Sequence, residues 1–172
     1  MSKPIFGVIG WKNSGKTTLM AQLVEEFSRR GYVVSAIKHA HHSFDIDHPG
    51  RDSYKFREAG ARQVALISPK RWALMHELRD EEKPPFEEIL AHIGPCDLVL
   101  VEGYKGGPFP KIEARGSRSL TQQPLSDDDP QIVAIASEDE IDTGVLPGFD
   151  INDIAGIADF IAGQLGLEKM TQ

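Results

Sequence analysis

Alternating strand and helix patterns predict an α/β protein with a mostly parallel, doubly wound sheet and a β-hairpin extension. Three observations carry this prediction. An apolar run, a glycine loop, an amphipathic pattern and a β-branched run follow one another within about the first forty residues. A strongly apolar run lies at residues 97–102. Two further β-type runs flank a turn at residues 69–71, which favours a hairpin.

The first β-loop-α-β unit is predicted element by element. Residues 5–9 are apolar and too few for a helix, so they predict a strand that is buried on both faces. Residues 16–30 carry apolar side chains at three- and four-residue spacing and are followed by Gly31, which is typical of a helix and its C-terminal stop. Residues 32–37 are rich in β-branched side chains and predict a second strand.

The remaining elements are predicted by the same signals. Asp52 is expected to cap a short helix that ends near Gly60. A terminal helix is predicted from an apolar stripe that includes Ile157 and Ile161. Another helix is expected at residues 86–93. Further strands are expected at residues 64–68, 72–78, 97–102, 111–115 and 132–136.

Length and composition restrict the function classes. The 172 residues predict one domain, 1–172. A formal charge of −7 excludes a general nucleic-acid binder. The single cysteine, Cys96, excludes an intrachain disulfide and favours a reducing compartment. The sequence shows no basic leader and no span long enough for a membrane, so we expect no membrane partner and a cytoplasmic location.

Residues 10–17, GWKNSGKT, match the phosphate-binding pattern G-x-x-x-x-G-K-[ST] between a predicted strand and a predicted helix. Backbone N–H groups and the helix N-terminus would hold the phosphates, and Lys16 would neutralise their charge as the catalytic cation. The sequence therefore predicts a single-domain P-loop NTPase fold. The predicted nucleotide contacts are Gly10, Trp11, Lys12, Asn13, Ser14, Gly15, Lys16, Thr17 and Thr18.

A magnesium site is predicted beside this loop. The Thr17 hydroxyl is one expected ligand, and Glu102, an acid at the end of the most apolar strand, is a second. Asp52 is a further candidate, with a plain helix cap as the competing interpretation. Asp97 opens the strand that Glu102 closes, at the opposite edge of the sheet, and is expected to be structural.

The loop that follows the second predicted strand is rich in histidine. Lys38 or His39 could sense phosphate, because both lie at the carboxyl end of a strand. The histidines of this loop, His39, His41 and His42, could bind a transition metal, although such surface histidines are usually only polar loop residues. Asp45 and Asp47 could orient a water or a metal-bound water, with Asp47 as the predicted catalytic residue, although acids in loops are more often solvated. The sequence has no N-K-x-D segment, the pattern that would indicate guanine recognition. It therefore gives little information about which base is bound.

Several segments together resemble the MobB family, the adapter proteins of molybdopterin-guanine dinucleotide biosynthesis. The resemblance rests on residues 8–18, 37–42, 47–53, 59–61, 100–105, 110–113, 115 and 132–135. It implies a GTP-binding homodimer that assists a molybdenum cofactor guanylyltransferase, works with molybdopterin-bearing proteins and hydrolyses GTP slowly. It also implies Mg²⁺ ligands at Thr17, Asp52 and Glu102. It places the contact to the base on residues 136–139, of which Ala136 and Ser137 are the predicted nucleotide contacts.

Two other functions stay open at this point. A P-loop ligase or kinase of the dethiobiotin synthetase kind would need a mobile arginine-bearing cover, and Arg115 and Arg118 could supply one. A metallochaperone GTPase would need thiol or histidine ligands, for which Cys96 alone is a weak basis. No residue is marked as the transition-state cation of a fast enzyme, since Arg51 and Arg57 fit a solvated helix equally well. We therefore expect a slow GTPase at most.

Overall fold

The computed structural model describes residues 3–40, 44–119, 121 and 123–168, and the chain divides into two units. We call residues 1–39 with 93–172 the sheet unit and residues 40–92 the hairpin unit. Along the chain the elements are β1 (Ile5–Ile9), α1 (Lys16–Arg29), β2 (Val34–Lys38), α2 (Asp52–Glu58), β3 (Gln63–Ile67), β4 (Trp72–His76), α3 (Phe86–His92), β5 (Leu98–Glu102), β6 (Lys111–Arg115), β7 (Ile132–Ser137), β8 (Gly148–Asp150) and α4 (Ile154–Leu165).

The sheet unit contains a six-stranded sheet in the order β2-β5-β1-β6-β7-β8, and every pairing in it is parallel. From β1 the chain first fills one side of the sheet, through β2 and β5. It then fills the other side, through β6, β7 and β8. The doubly wound, mostly parallel sheet is therefore confirmed, and β1 is the strand at which the winding direction changes.

The core of the sheet unit is apolar. Leu23 and Phe27 of α1, with Ile157 and Ile161 of α4, are fully buried in one cluster that includes Phe6 of β1. The three- and four-residue spacing in α1 that predicted an amphipathic helix is the face that enters this cluster. Burying such large side chains contributes roughly 1.5–3 kcal/mol each, so the P-loop lies on a rigid base.

Two charged links brace this unit. Arg30 follows α1 and joins Glu26 to Asp159 of α4, at 2.7 and 2.6 Å. Lys111 of β6 is fully buried, and its Nζ lies 2.8 Å from Asp129 Oδ2. The stem of Lys111 packs on Gly7 so closely that a Cβ at Gly7 would lie 2.7 Å from Lys111 Cγ. Lys111 thus places a buried, paired cation on a face of the sheet where an apolar side chain would be usual.

The hairpin unit contains an antiparallel pair, β3 and β4, with Val64 opposite Met75 and Ile67 opposite Trp72. Val64 and Met75 are buried. On the other face of the pair Ile67 and Trp72 are 83% and 72% exposed. Alternation with period two explains both results, since successive side chains of a strand point to opposite faces. The predicted hairpin is confirmed, and its outward face is apolar.

Arg57 of α2 is the electrostatic centre of the hairpin unit. Its guanidinium donates to Glu77 Oε1 at 3.0 Å, to Asp45 Oδ1 at 3.1 Å and to Asp47 Oδ1 at 2.5 Å. The bond to Glu77, followed by those to Asp47 and Asp45, raises the pKa of Arg57 above its ordinary value although desolvation opposes the shift. Asp47 is 7% exposed, so its charge depends on this partner.

Most predicted elements are confirmed within one to three residues at either end. The expected cap of α2 is wrong: Arg51 occupies the N-cap with an extended backbone, and Asp52 is the first helical residue. The sequence analysis also missed β8, which has only three residues and no apolar run. None of the helices in the described ranges is long and apolar enough to cross a membrane. The expectation of one domain, 1–172, stays a prediction.

Candidate nucleotide-binding site

The carboxyl ends of the parallel strands meet at one edge of the sheet, where ligands of doubly wound folds bind. The loop of residues 10–17 follows β1 at this edge and leads directly into α1. Other chemically able side chains end their strands at the same edge. They are Lys38 of β2, Glu102 of β5, Arg115 of β6, Ser137 of β7 and Asp150 of β8.

The backbone of the loop is shaped for an anion. Gly10 has φ 155°, Asn13 has φ 66° and Gly15 has φ 88°. A Cβ at Gly10 would lie 2.3 Å from Ser14 Oγ and 2.5 Å from the Ala114 carbonyl oxygen, so only glycine fits there. Gly15 is the N-cap of α1 and supplies no side-chain cap, which leaves the first-turn N–H groups available to a ligand.

Lys16 reaches back across the loop. Its Nζ donates to the carbonyl oxygen of Trp11 at 3.0 Å. Burial lowers the pKa of Lys16, the Glu102 charge partly opposes this shift, and the Lys38 charge adds to it. A partly desolvated ammonium group gains more from a phosphate than an exposed one would, because the local dielectric is low. The position agrees with the predicted role of Lys16 as the phosphate cation.

Thr17 and Glu102 are in direct contact. Thr17 Oγ1 donates to Glu102 Oε1 at 2.9 Å, and Lys38 Nζ lies 3.2 Å from the same oxygen. Glu102 is only 6% exposed, so this carboxylate requires a cation. A hydroxyl beside a buried carboxylate fits Mg²⁺, which takes few protein ligands and keeps waters or phosphate oxygens. Across the described residues no three His, Cys, Asp or Glu side chains gather as a metal site.

Lys105 is a residue that the sequence analysis did not include in the site. Its Nζ lies 3.5 Å from the centre of the Trp11 ring, and the Trp11 indole donates from Nε1 to the Gln123 carbonyl oxygen at 2.7 Å. Burial lowers the pKa of Lys105, the nearby Lys16 charge lowers it further, and Glu113 acts in the opposite direction. Its position three residues after Glu102 was the available signal.

Glu113 was missed as well. It is 1% exposed and accepts from the backbone N–H groups of Leu125 and Ser126, at 2.9 and 3.1 Å. Arg115 Nη2 donates to both Glu113 Oε2 and Ser126 Oγ, at 2.9 and 2.8 Å. One buried carboxylate therefore fastens the segment after β6 to the sheet beside the P-loop. Arg115, considered above as a mobile cover residue, is engaged in this network.

A cavity of about 300 Å³ lies at the carboxyl ends of β7 and β8. Ser137 lines it, whereas Ala136 is fully buried in the apolar core and does not. Ile151 follows the lining residue Asp150 in the chain and lies beside the P-loop, since its Cδ1 would be 3.0 Å from a Cβ at Gly15. Its wall is strongly acidic. The acidic lining residues are Glu138, Asp139, Glu140 and Asp150.

The other predicted residues are placed as follows. Asp52 and Asp47 belong to the hairpin unit, where Asp52 pairs with Lys55 at 3.3 Å and Asp47 binds Arg57. Their proposed roles in metal binding and catalysis stay predictions. His39 contacts the ring of Tyr104, with 4.9 Å between ring centres. His41 and His42 lie outside the described residues. Asp97 accepts from the Val33 N–H at 2.7 Å, a structural role.

Comparison with known proteins decides the family. The model of the family described as "MobB: Molybdopterin guanine dinucleotide synthesis protein B" matches residues 5–138. The chain belongs to the MobB family. Its similarity to curated MobB-family proteins extends over almost the whole length. A "Molybdopterin-guanine dinucleotide biosynthesis adapter protein" of Haemophilus influenzae is 42% identical over 94% of this chain and 89% of the relative. One of Escherichia coli is 37% identical over 92% and 91%.

Solved structures agree with this MobB assignment. "The Crystal structure of Bacillus subtilis MobB" superimposes with a TM-score of 0.74 at 26% identity, covering 96% of this chain and 99% of that one. A MobB protein homologue from Bacillus stearothermophilus gives a TM-score of 0.71 at 24% identity, over 95% and 99%. The predicted family and the predicted P-loop fold are both confirmed.

Proposed function

We propose that this chain binds GTP with Mg²⁺ on residues 10–17 and acts as an adapter in the attachment of GMP to molybdopterin. The observation that carries the proposal is the loop itself: a glycine cradle closed by Lys16, with Thr17 bonded to buried Glu102, in a chain of the MobB family. Backbone N–H groups, a helix N-terminus and a partly desolvated lysine together form a polyphosphate site.

The acidic cavity supports guanine as the base. Guanine presents N1–H and an exocyclic amino group as donors, for which a carboxylate is the matching acceptor. Adenine has an unprotonated N1 and would place an acceptor against the same acids. Asp139 is held in position by the Ser117 N–H, at 3.0 Å from Oδ2. We therefore propose GTP rather than ATP, with Ser137 at the edge of the base site.

For Mg²⁺ we propose Thr17 and Glu102 as ligands, with the remaining positions filled by waters and phosphate oxygens. When bound, the ion would neutralise charge on the phosphates. Lys38, which shares Glu102 Oε1 with Thr17, would keep that buried carboxylate neutralised in the absence of the ion. Asp52 stays a proposed ligand, to be tested separately.

The arrangement supports binding more than turnover. A fast P-loop enzyme needs an arginine or equivalent cation at the transition state, often worth about 10³ to 10⁵ in rate. Arg115 is bonded to Glu113 and Ser126, and Arg57 is bonded to three carboxylates of the hairpin unit. We therefore propose at most slow GTP hydrolysis, with the chemistry supplied by a guanylyltransferase partner that acts on molybdopterin or a molybdopterin-bearing protein.

We also propose a cytoplasmic homodimer in which the outward faces of β3 and β4 meet. Ile67 and Trp72 are large, apolar and exposed, and both strands of the hairpin have a free edge among the described residues. Such a surface is typical of a contact between copies of a chain.

The nucleotide proposal is tested by calorimetric titration of GTP and ATP, each with Mg²⁺ and with EDTA. We expect GTP to bind more tightly than ATP and Lys16→Ala to lose binding while its circular dichroism is unchanged. Glu102→Gln should weaken Mg²⁺-dependent binding selectively, whereas Asp97→Asn should not, since Asp97 lies at the other end of β5. Asp52→Asn tests the third ligand. Unaltered GTP affinity in Lys16→Ala would contradict the assignment.

The adapter proposal is tested by reconstitution with a guanylyltransferase, molybdopterin and GTP. We expect the chain to raise the yield of guanylylated cofactor without a matching rise in free GDP. The Lys16→Ala variant serves as the control for nucleotide dependence. Hydrolysis by the purified chain at several turnovers per second would contradict the proposal, since an adapter would then be an efficient enzyme by itself.

A further inference from the structure

We propose that Lys105 is a specificity residue of the nucleotide site, whose ammonium group leaves the indole of Trp11 to bind the terminal phosphate of a nucleoside triphosphate. This inference rests on the proposed nucleotide binding and extends it. It assigns a role to a lysine outside residues 10–17 and predicts discrimination between triphosphate and diphosphate.

Two ammonium groups contact the same residue of the P-loop. Lys16 Nζ binds the backbone carbonyl oxygen of Trp11 at 3.0 Å, and Lys105 Nζ lies 3.5 Å from the centre of its ring. Lys16 comes from α1, whereas Lys105 comes from the loop after β5. Two separate segments thus deliver positive charge to one side of the loop, where the phosphates of a bound nucleotide would lie.

The two carboxylates nearest these lysines each have another cationic partner. Glu102 is paired with Lys38, and Glu113 is paired with Arg115. Lys16 contacts a carbonyl oxygen and Lys105 contacts an aromatic ring, and neither group carries a full negative charge. Burial is the main cause of the lowered pKa of Lys105, and repulsion by the Lys16 charge adds to it. A polyanion at this point would remove that repulsion and satisfy both groups.

The ring is a weaker partner than a phosphate. Cation–π contacts at partly exposed rings are modest, whereas an ammonium–phosphate hydrogen bond is charge-assisted and short. The lysine side chain is flexible. Lys105 lies two residues after Gly103, which has φ 82°. Trp11 is anchored independently through its Nε1–H to Gln123. Lys105 can therefore exchange its partner while the indole stays in place.

Binding constants for GTP and GDP in the presence of Mg²⁺ test this inference. For Lys105→Met we expect GTP affinity to fall about tenfold to a hundredfold and GDP affinity to fall less than about threefold, because only GTP has the terminal phosphate. Lys105→Arg should restore most of the preference. Lys70→Met, at an exposed lysine of the hairpin unit, is the control and should leave the GTP to GDP ratio unchanged.

Trp11 supplies a second readout. The chain has two tryptophans, so Trp72→Phe leaves Trp11 as the single indole. We expect GTP binding to move the Lys105 ammonium group away from the Trp11 ring and so to change the fluorescence emission of Trp11. GDP binding should not cause this change, and GTP binding should not cause it in Lys105→Met. An equal change with GDP, or an unchanged affinity ratio in Lys105→Met, would overturn the role of Lys105 alone. Failure of the wild-type chain to bind either nucleotide would overturn the proposed function as well.

Discussion

The sheet unit and the hairpin unit are stabilised in different ways. The sheet unit buries a continuous apolar cluster beneath its parallel strands, and all five residues of β5 are buried. In the hairpin unit, Val64, Met75 and Phe86 are the buried large apolar residues, and Arg57 binds three carboxylates at its centre. Ile67 and Trp72 remain exposed there.

This contrast indicates a division of labour. A rigid apolar base holds the loop of residues 10–17 in a fixed geometry, which a phosphate site requires. A smaller unit with few buried apolar side chains and an exposed apolar face is only marginally stable by itself. Such a unit is suited to association, because a partner can bury what the isolated chain leaves exposed. Four experiments test this proposed division.

The largest effect is expected at Arg57. Arg57→Met leaves Asp47 buried without its cation, and breaking a buried pair in this way is strongly destabilising. Hydrogen exchange should therefore quicken by at least about a hundredfold across residues 52–76 while β1 and β5 keep their protection. Exposed Arg71→Met is the matched control and should show no such change. Equal loss of protection in both units would show that they open together.

The exposed face of the hairpin gives the second test. Ile67→Ser combined with Trp72→Ser should convert the proposed dimer to a monomer at micromolar concentration, because truncating large apolar contact residues costs about 2 kcal/mol or more each. Sedimentation velocity measures this directly. Val145→Ser, in the sheet unit and fully exposed at 101%, is the control. An undiminished dimer in the double variant would assign the interface to another surface.

Substitution of one glycine in each unit tests how tightly the surrounding residues are packed. At Gly10 an added Cβ meets a backbone carbonyl at 2.5 Å, whereas at Gly50, with φ 91°, it meets nothing within 4 Å. Gly50→Ala should cost about 1–2 kcal/mol, from the backbone conformation alone. Gly10→Ala should cost about 2–4 kcal/mol, since overpacking is added. Urea denaturation of both variants measures the difference, and equal costs would mean that the loop can relax around a methyl group.

The smallest effect concerns a surface charge of the sheet unit. Hydrogen bonds from Arg29 and Arg30 lower the pKa of Glu26 to about 2. Because the folded pKa lies below the unfolded one, this stabilisation is present above about pH 4.5 and disappears as the pH falls toward about 2. We expect Glu26→Gln to cost about 0.5–1 kcal/mol at pH 7, as solvent screens the pair.

Denaturation midpoints of wild type and Glu26→Gln, measured from pH 7 down to pH 2.5, test the sign of this dependence. The two curves should converge as the pH falls. Exposed Glu25→Gln is the neighbouring control, and it should differ little from wild type at any pH. A gap between wild type and Glu26→Gln that widened in acid would contradict the assigned pKa shift.

Local patterns were sufficient to predict the sheet and the phosphate loop. The run at residues 5–9, the glycine pattern and the helix spacing are each contained in a short window, and Glu102 could be inferred from its place at a strand end. The sequence did not reveal Lys105 or Glu113 as site residues, because their partners Trp11 and Leu125 are brought close only by the folded chain. The strand β8 was missed since three residues carry no periodic signal.

One interpretation failed for a more specific reason. Asp52 resembles an N-cap by residue type, yet Arg51 takes that place, since propensity fixes a helix boundary only to within a residue or two. The base contacts at Ala136 and Ser137 stay a prediction, and alternation along β7 sends the two side chains to opposite faces. The sequence predicts that alternation, but only the structure shows which face of β7 lines the cavity.

The buried stem of Lys111 against Gly7 has a consequence for divergence within the family. Any side chain at position 7 would collide with Lys111 Cγ, so the first methyl group gained there is deleterious while the lysine remains. Shortening residue 111 alone would leave Asp129 without its ammonium partner. Each single step is unfavourable and only the joint change is tolerated. We therefore expect positions 7, 111 and 129 to be exchanged together among descendants of a common ancestor, as one inherited unit.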